Sequence, residues 1–95
     1  MEDEKFEWDD AKAAENFRSH RVSFEEATLA IGDLFAIEEL DLREAYGEER
    51  VIRTGMSQGQ VLTVVYTERG ARIRIITARK ATRHEQDDYY RQNAS

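Results

Sequence analysis

A chain of 95 residues is long enough for one compact core and too short for two, so residues 1–95 are expected to form a single domain. Cysteine is absent, which excludes disulfides and thiolate metal sites and fits a reducing cytoplasm, and no apolar run nears the roughly 20 residues that a membrane span needs. The net charge of −6 argues against nucleic acid for the molecule as a whole, yet residues 1–50 carry 6 cations and 16 carboxylates while residues 51–95 carry 8 and 4.

Asp9 is a suitable N-cap for a first helix running to about Ser19, with Ala13, Ala14 and Phe17 at core-facing spacing. Phe6 and Trp8 precede it and are read as packing the helix start onto a sheet in preference to stacking bases. Ser23 and Glu26 form an S-x-x-E capping box for a second helix, whose apolar residues Phe24, Ala27 and Ile31 end at Gly32. Phe35 to Leu42 gives a weak strand pattern, and Arg43 to Glu49 an acidic loop.

Three β-rich runs follow, Arg50 to Met56, Val61 to Thr67 and Ala71 to Thr77, and are expected to form an antiparallel meander. A three-residue loop, Glu68 to Gly70, would set Thr67 opposite Ala71, Tyr66 opposite Arg72 and Val64 opposite Arg74. In that register Val61, Thr63, Val65, Ile73 and Ile75 face the N-terminal helices, while Leu62, Val64, Tyr66, Arg72, Arg74 and Ile76 form the opposite face. Arginines beside a tyrosine suit single-stranded RNA, although long side chains covering a solvated sheet face produce the same pattern. Thr82 and Glu85 form a further capping box that opens a third helix toward Arg91, carrying Tyr89 and Tyr90.

From Arg69 to His84 there are six cations and no carboxylate. Arg79, Lys80, Arg83 and His84 gather at the start of the third helix, where free N–H groups and the dipole favour a bound phosphate. Two readings remain open: a phosphate site with His84 moving protons, or surface cations that answer the acidic N-terminal half. His20 and His84 without cysteine or an H-E-x-x-H spacing give no metal site, and the five glycines match no nucleotide-binding loop.

Taken together, Phe6-Glu7-Trp8-Asp9, Lys12-Ala13, Asn16, His20, Val22 to Ala27, Gly55, Ser57, Gly59, Val64 to Arg69, Arg74 to Ile76, Ala78-Arg79, Ala81-Thr82, Glu85 and Tyr89 or Tyr90 resemble the BrnT toxins. The resemblance implies an α+β, RelE-like toxin domain with two N-terminal helices, a four-stranded antiparallel sheet and a C-terminal helix. It implies a ribonuclease without metal or cofactor that cleaves mRNA and stops translation. Its partner would be a BrnA-like ribbon-helix-helix antitoxin, through which alone operator DNA is met. Arg79, His84, Arg83 and Lys80 are the catalytic candidates, and Arg72, Arg74, Tyr66 and Arg69 the RNA contacts. Arg21 stands where the family pattern has a helix-stopping glycine. A catalytically weak module that binds antitoxin or regulates its operon is the alternative.

Overall fold

In the computed structural model, which describes residues 1–94, the chain runs β1 (Phe6–Glu7), α1 (Asp10–His20), α2 (Phe24–Ile31), β2 (Ile37–Leu40), β3 (Val51–Ser57), β4 (Gln60–Arg69), β5 (Arg72–Lys80) and α3 (Arg83–Asn93). The strands form one sheet in the order β1-β5-β4-β3-β2. The class is α+β, but the expected four-stranded antiparallel sheet is corrected to a five-stranded mixed one. The added strand is β1, which pairs parallel to β5 through Phe6–Ile73 and Glu7–Arg74. Two residues are too few to show an alternating pattern, so the sequence reads them as a lead-in to α1.

The caps form as their chemistry dictates. Asp9 accepts the Lys12 N–H at 2.9 Å, and Ser23–Glu26 and Thr82–Glu85 both close as reciprocal boxes. α1 stops at Arg21, which takes the left-handed conformation (φ 58°) and donates its N–H to the Phe17 carbonyl at 2.8 Å. Its guanidinium lies 5.9 Å from the Phe17 ring centre.

Val22, Phe24, Ala27, Ala30 and Ile31 meet Leu62, Val64, Ile75 and Ala78 in the main core, with Trp8 edge-on to Phe24 at 5.7 Å. Asn16, buried on α1, bonds both the N–H and the C=O of Ala78, at 3.1 and 2.8 Å, and so fastens the helix to the edge of β5. Val61, Ala81 and Tyr89 form a second cluster, where α3 packs on the opposite face.

The β4–β5 register differs from expectation. Arg69 pairs with Arg72 across a two-residue turn, Gly70-Ala71, in which Gly70 supplies the positive φ of 60°. Glu68 pairs with Ile73, Thr67 with Arg74 and Tyr66 with Ile75, but Val65 pairs with Thr77, so Ile76 is an extra residue in β5, a bulge. Leu62 and Val64 therefore face α1 and α2, with Val61, Thr63 and Val65 on the other side. Alternation could not reveal this, because every residue from Val61 to Thr67 is buried and β4 is covered on both faces.

Candidate functional site

Along β4 the residues Thr63, Val65, Thr67 and Arg69 point to one face, and their partners Arg79, Thr77, Arg74 and Arg72 share it. This is the face turned away from α1 and α2. Four arginines, Arg69, Arg72, Arg74 and Arg79, thus line one side of a single hairpin, with α3 over one end. The bulge makes the alignment: an unbroken β5 would put Arg79 on the face opposite Arg72 and Arg74.

Arg79 grips Glu85 of α3 with both arms of its guanidinium, Nη1–Oε1 at 2.7 Å and Nη2–Oε2 at 2.9 Å. Glu85 also accepts the Thr82 N–H at 2.8 Å and the Thr63 hydroxyl at 3.1 Å, and Thr63 Oγ1 lies 3.3 Å from Thr54 Oγ1. The Arg79 hydrogen bonds hold the Glu85 carboxyl down at about 2 against the opposing effect of burial, with the Thr82 N–H assisting. Glu85 raises the Arg79 guanidinium in return. At neutral pH the pair is ionic, and Glu85 is a poor proton acceptor that fixes the direction of Arg79.

The other arginines of the face are also answered by carboxylates: Arg74 by Glu7 at 2.8 Å, Arg72 by Glu2 at 3.4 Å and Arg69 by Glu48 at 3.6 Å. The remaining helix-start candidates do not converge on Arg79. Arg83 and His84 project into solvent, their side chains 92% and 84% exposed, toward Asp87 and Asp88 one turn on. Lys80 is exposed and pairs with Leu62, so its side chain starts on the α1–α2 side of the sheet.

Tyr66 is likewise separated from Arg72 and Arg74, which corrects the expected face. It is buried with its hydroxyl donating to Glu38 at 3.0 Å, and burial together with that carboxylate raises the phenol to about 12. Glu38 also accepts from Arg53 at 2.8 Å. Tyr66 therefore forms part of a link between β2, β3 and β4.

Asp33 went unnoticed in the sequence. Its carboxylate accepts the Phe35 N–H at 2.9 Å, the Met56 N–H at 2.8 Å and the Tyr89 hydroxyl, joining the α2–β2 connection to β3 and α3. Burial works to raise its pKa, but these three donors outweigh it and the net shift is downward. A lone Asp after a helix-ending Gly reads as turn chemistry, and only the fold brings its distant donors together. Beside this node is a cleft of about 340 Å³ lined by Ile37, Glu39, Ile52, Thr54, Glu85 and Asp88. The 41–50 loop is folded as well: buried Asp41 accepts two bonds from the Arg43 guanidinium and one from the Tyr46 hydroxyl, which hold its carboxyl far below the usual range.

A five-stranded mixed sheet with α1 and α2 on one face, and α3 and a row of carboxylate-paired arginines on the other, defines a small α+β protein. Residues 8–85 match the family model described as the ribonuclease toxin, BrnT, of type II toxin–antitoxin systems, and the chain belongs to that family. An antitoxin partner follows from that membership. No curated protein gives a significant match. Among the described residues no helix is long and apolar enough to cross a membrane, and no three His, Cys, Asp or Glu side chains converge as metal ligands.

Proposed function

We propose that residues 1–95 form one toxin domain that acts in the cytoplasm as a metal-independent endoribonuclease, cleaving mRNA and so halting translation. A BrnA-like ribbon-helix-helix antitoxin restrains it, and operator DNA is met only through that antitoxin. The observation that carries this reading is the alignment of Arg69, Arg72, Arg74 and Arg79 on one sheet face. Cations spaced along one side of a hairpin suit the phosphates of an extended RNA strand.

In the reaction the ribose 2′-hydroxyl gives up its proton as its oxygen bonds the adjacent phosphorus, charge grows on the phosphoryl oxygens, and the bond to the 5′-oxygen breaks as that oxygen takes up a proton, leaving a 2′,3′-cyclic phosphate. Arg79, oriented by Glu85, serves the developing charge. His84, Arg83 and Lys80 stand apart from Arg79 in the free chain, and their exposed side chains turn onto the strand once it is bound, His84 to exchange the proton and Lys80 and Arg83 to meet flanking phosphates. Arg69, Arg72 and Arg74 hold the strand, and Tyr66 supports that surface from behind through Glu38.

Expression of the chain without its antitoxin should arrest bacterial growth. Arg79→Ala should lower cleavage about 10²- to 10³-fold and His84→Ala about 10²- to 10⁴-fold, with both variants folded and EDTA without effect. Full toxicity of both variants would remove these residues from the mechanism. The alternative of a catalytically weak antitoxin-binding or operon-regulating module is favoured by one specific observation, that all four arginines are already paired with carboxylates. Normal growth on induction of the wild-type chain would select it.

A further inference from the structure

The segment before α1 doubles back on itself. The Met1 amino group donates to the Trp8 carbonyl at 3.0 Å, the Trp8 N–H to the Met1 carbonyl at 2.9 Å and the Asp3 N–H to the Phe6 carbonyl at 2.9 Å. This strap is attached to the sheet by β1, only two residues long, and by the Ile73 N–H to the Lys5 carbonyl at 2.8 Å. It carries Glu2, Asp3, Glu4 and Glu7, and it places acceptors on two of the four aligned arginines. Arg72 donates Nε to the Asp3 carbonyl at 2.6 Å and lies 3.4 Å from Glu2, while Arg74 Nη1 meets Glu7 at 2.8 Å.

A carboxylate oxygen offers a guanidinium the same charge and acceptor geometry as a non-bridging phosphate oxygen. We propose that the N-terminal strap is an intramolecular stand-in for RNA phosphates at Arg72 and Arg74, so that RNA gains this end of the arginine face only by displacing it. The inference rests on reading these arginines as RNA contacts. Displacement is feasible because the Arg72–Glu2 pair is largely solvent-exposed, with side chains 40% and 62% accessible, and a polyanion brings counterion release that a single carboxylate lacks.

The test uses a single-stranded 2′-O-methyl RNA of mixed sequence, which lacks the attacking hydroxyl and stays intact. Its affinity is measured against salt for the full chain and for Glu2→Gln, Glu7→Gln, the double variant, and Arg72→Glu with Arg74→Glu. The double Gln variant should bind about threefold to tenfold more tightly at low salt, the release expected from two partly exposed ion pairs. Its slope of log K against log salt should steepen by about 0.7 for each phosphate gained, a readout that a purely structural role for the strap would leave unchanged. If the double variant matches wild type in affinity and slope while Arg72→Glu with Arg74→Glu weakens binding, the strap proposal fails and the RNA reading stands. If the Arg→Glu variant binds as well as wild type, the RNA reading of this edge fails and takes the strap proposal with it. Should Glu7→Gln fail to fold, exposed Glu2→Gln decides alone, with about twofold tighter binding expected and no change overturning the proposal.

Discussion

Arg21 has the backbone of a glycine and the side chain of a cation. At φ 58° its Cβ crowds the neighbouring carbonyl, a cost of about 1–2 kcal/mol that glycine avoids. The Phe17 contact and the closing N–H bond offset part of it. Arg21→Gly should therefore stabilise the fold by about 1 kcal/mol, seen as a higher urea midpoint at an unchanged m value. This position was legible from the resemblance alone, because a glycine expected after His20 announces a left-handed stop. Tyr66 teaches the reverse: beside arginines in the sequence it suggests base stacking, yet its hydroxyl is committed to Glu38 on the other side of the sheet.

Among the elements, α2 rests directly on the backbone of β3. Gly55 lies under the end of α2, where a Cβ would collide with the Ala30 carbonyl oxygen and press on the Ala36 methyl. Backbone has little room to yield there, so Gly55→Ala should cost about 1–3 kcal/mol, measurable as a lowered thermal midpoint. The helices were legible because caps and periodicity are local: Asp9, Ser23 and Thr82 each lie at or within a residue of the predicted starts. β1 and the β4–β5 register were not, since a two-residue parallel strand and an inserted Ile76 depend on partners far along the chain. The candidate site shared that fate. The sequence showed which cations exist, but only the register sorted Arg79 from Lys80 and gathered it with Arg74.

Over the whole molecule, folding recombines the charges that the sequence keeps apart: Glu2, Glu7 and Glu48 of the acidic half meet Arg72, Arg74 and Arg69 of the basic half. Glu85 gives this pairing a measurable pH signature. Its pKa of about 2 in the fold lies below the 4.5 of an unperturbed glutamate, so the folded state binds fewer protons between those limits. Its stabilisation is complete above about pH 4.5 and is lost as pH falls toward 2. Glu85→Gln should remove that part of the acid dependence and lower stability at pH 7 through the lost Arg79 pair, as followed by unfolding at stepped pH. The bulge at Ile76 acts on the same scale, because it sets the phase of β5 as a reading frame sets that of a message. Single substitutions along the strand leave that phase alone, and deleting Ile76 itself would close the hairpin into a regular ladder in which Arg72, Arg74, Ala78 and Arg79 keep their present sides. Circular dichroism of such a deletion should show a chain that still melts cooperatively, because losing the one residue of β5 without a partner in β4 leaves each pair across the hairpin in place.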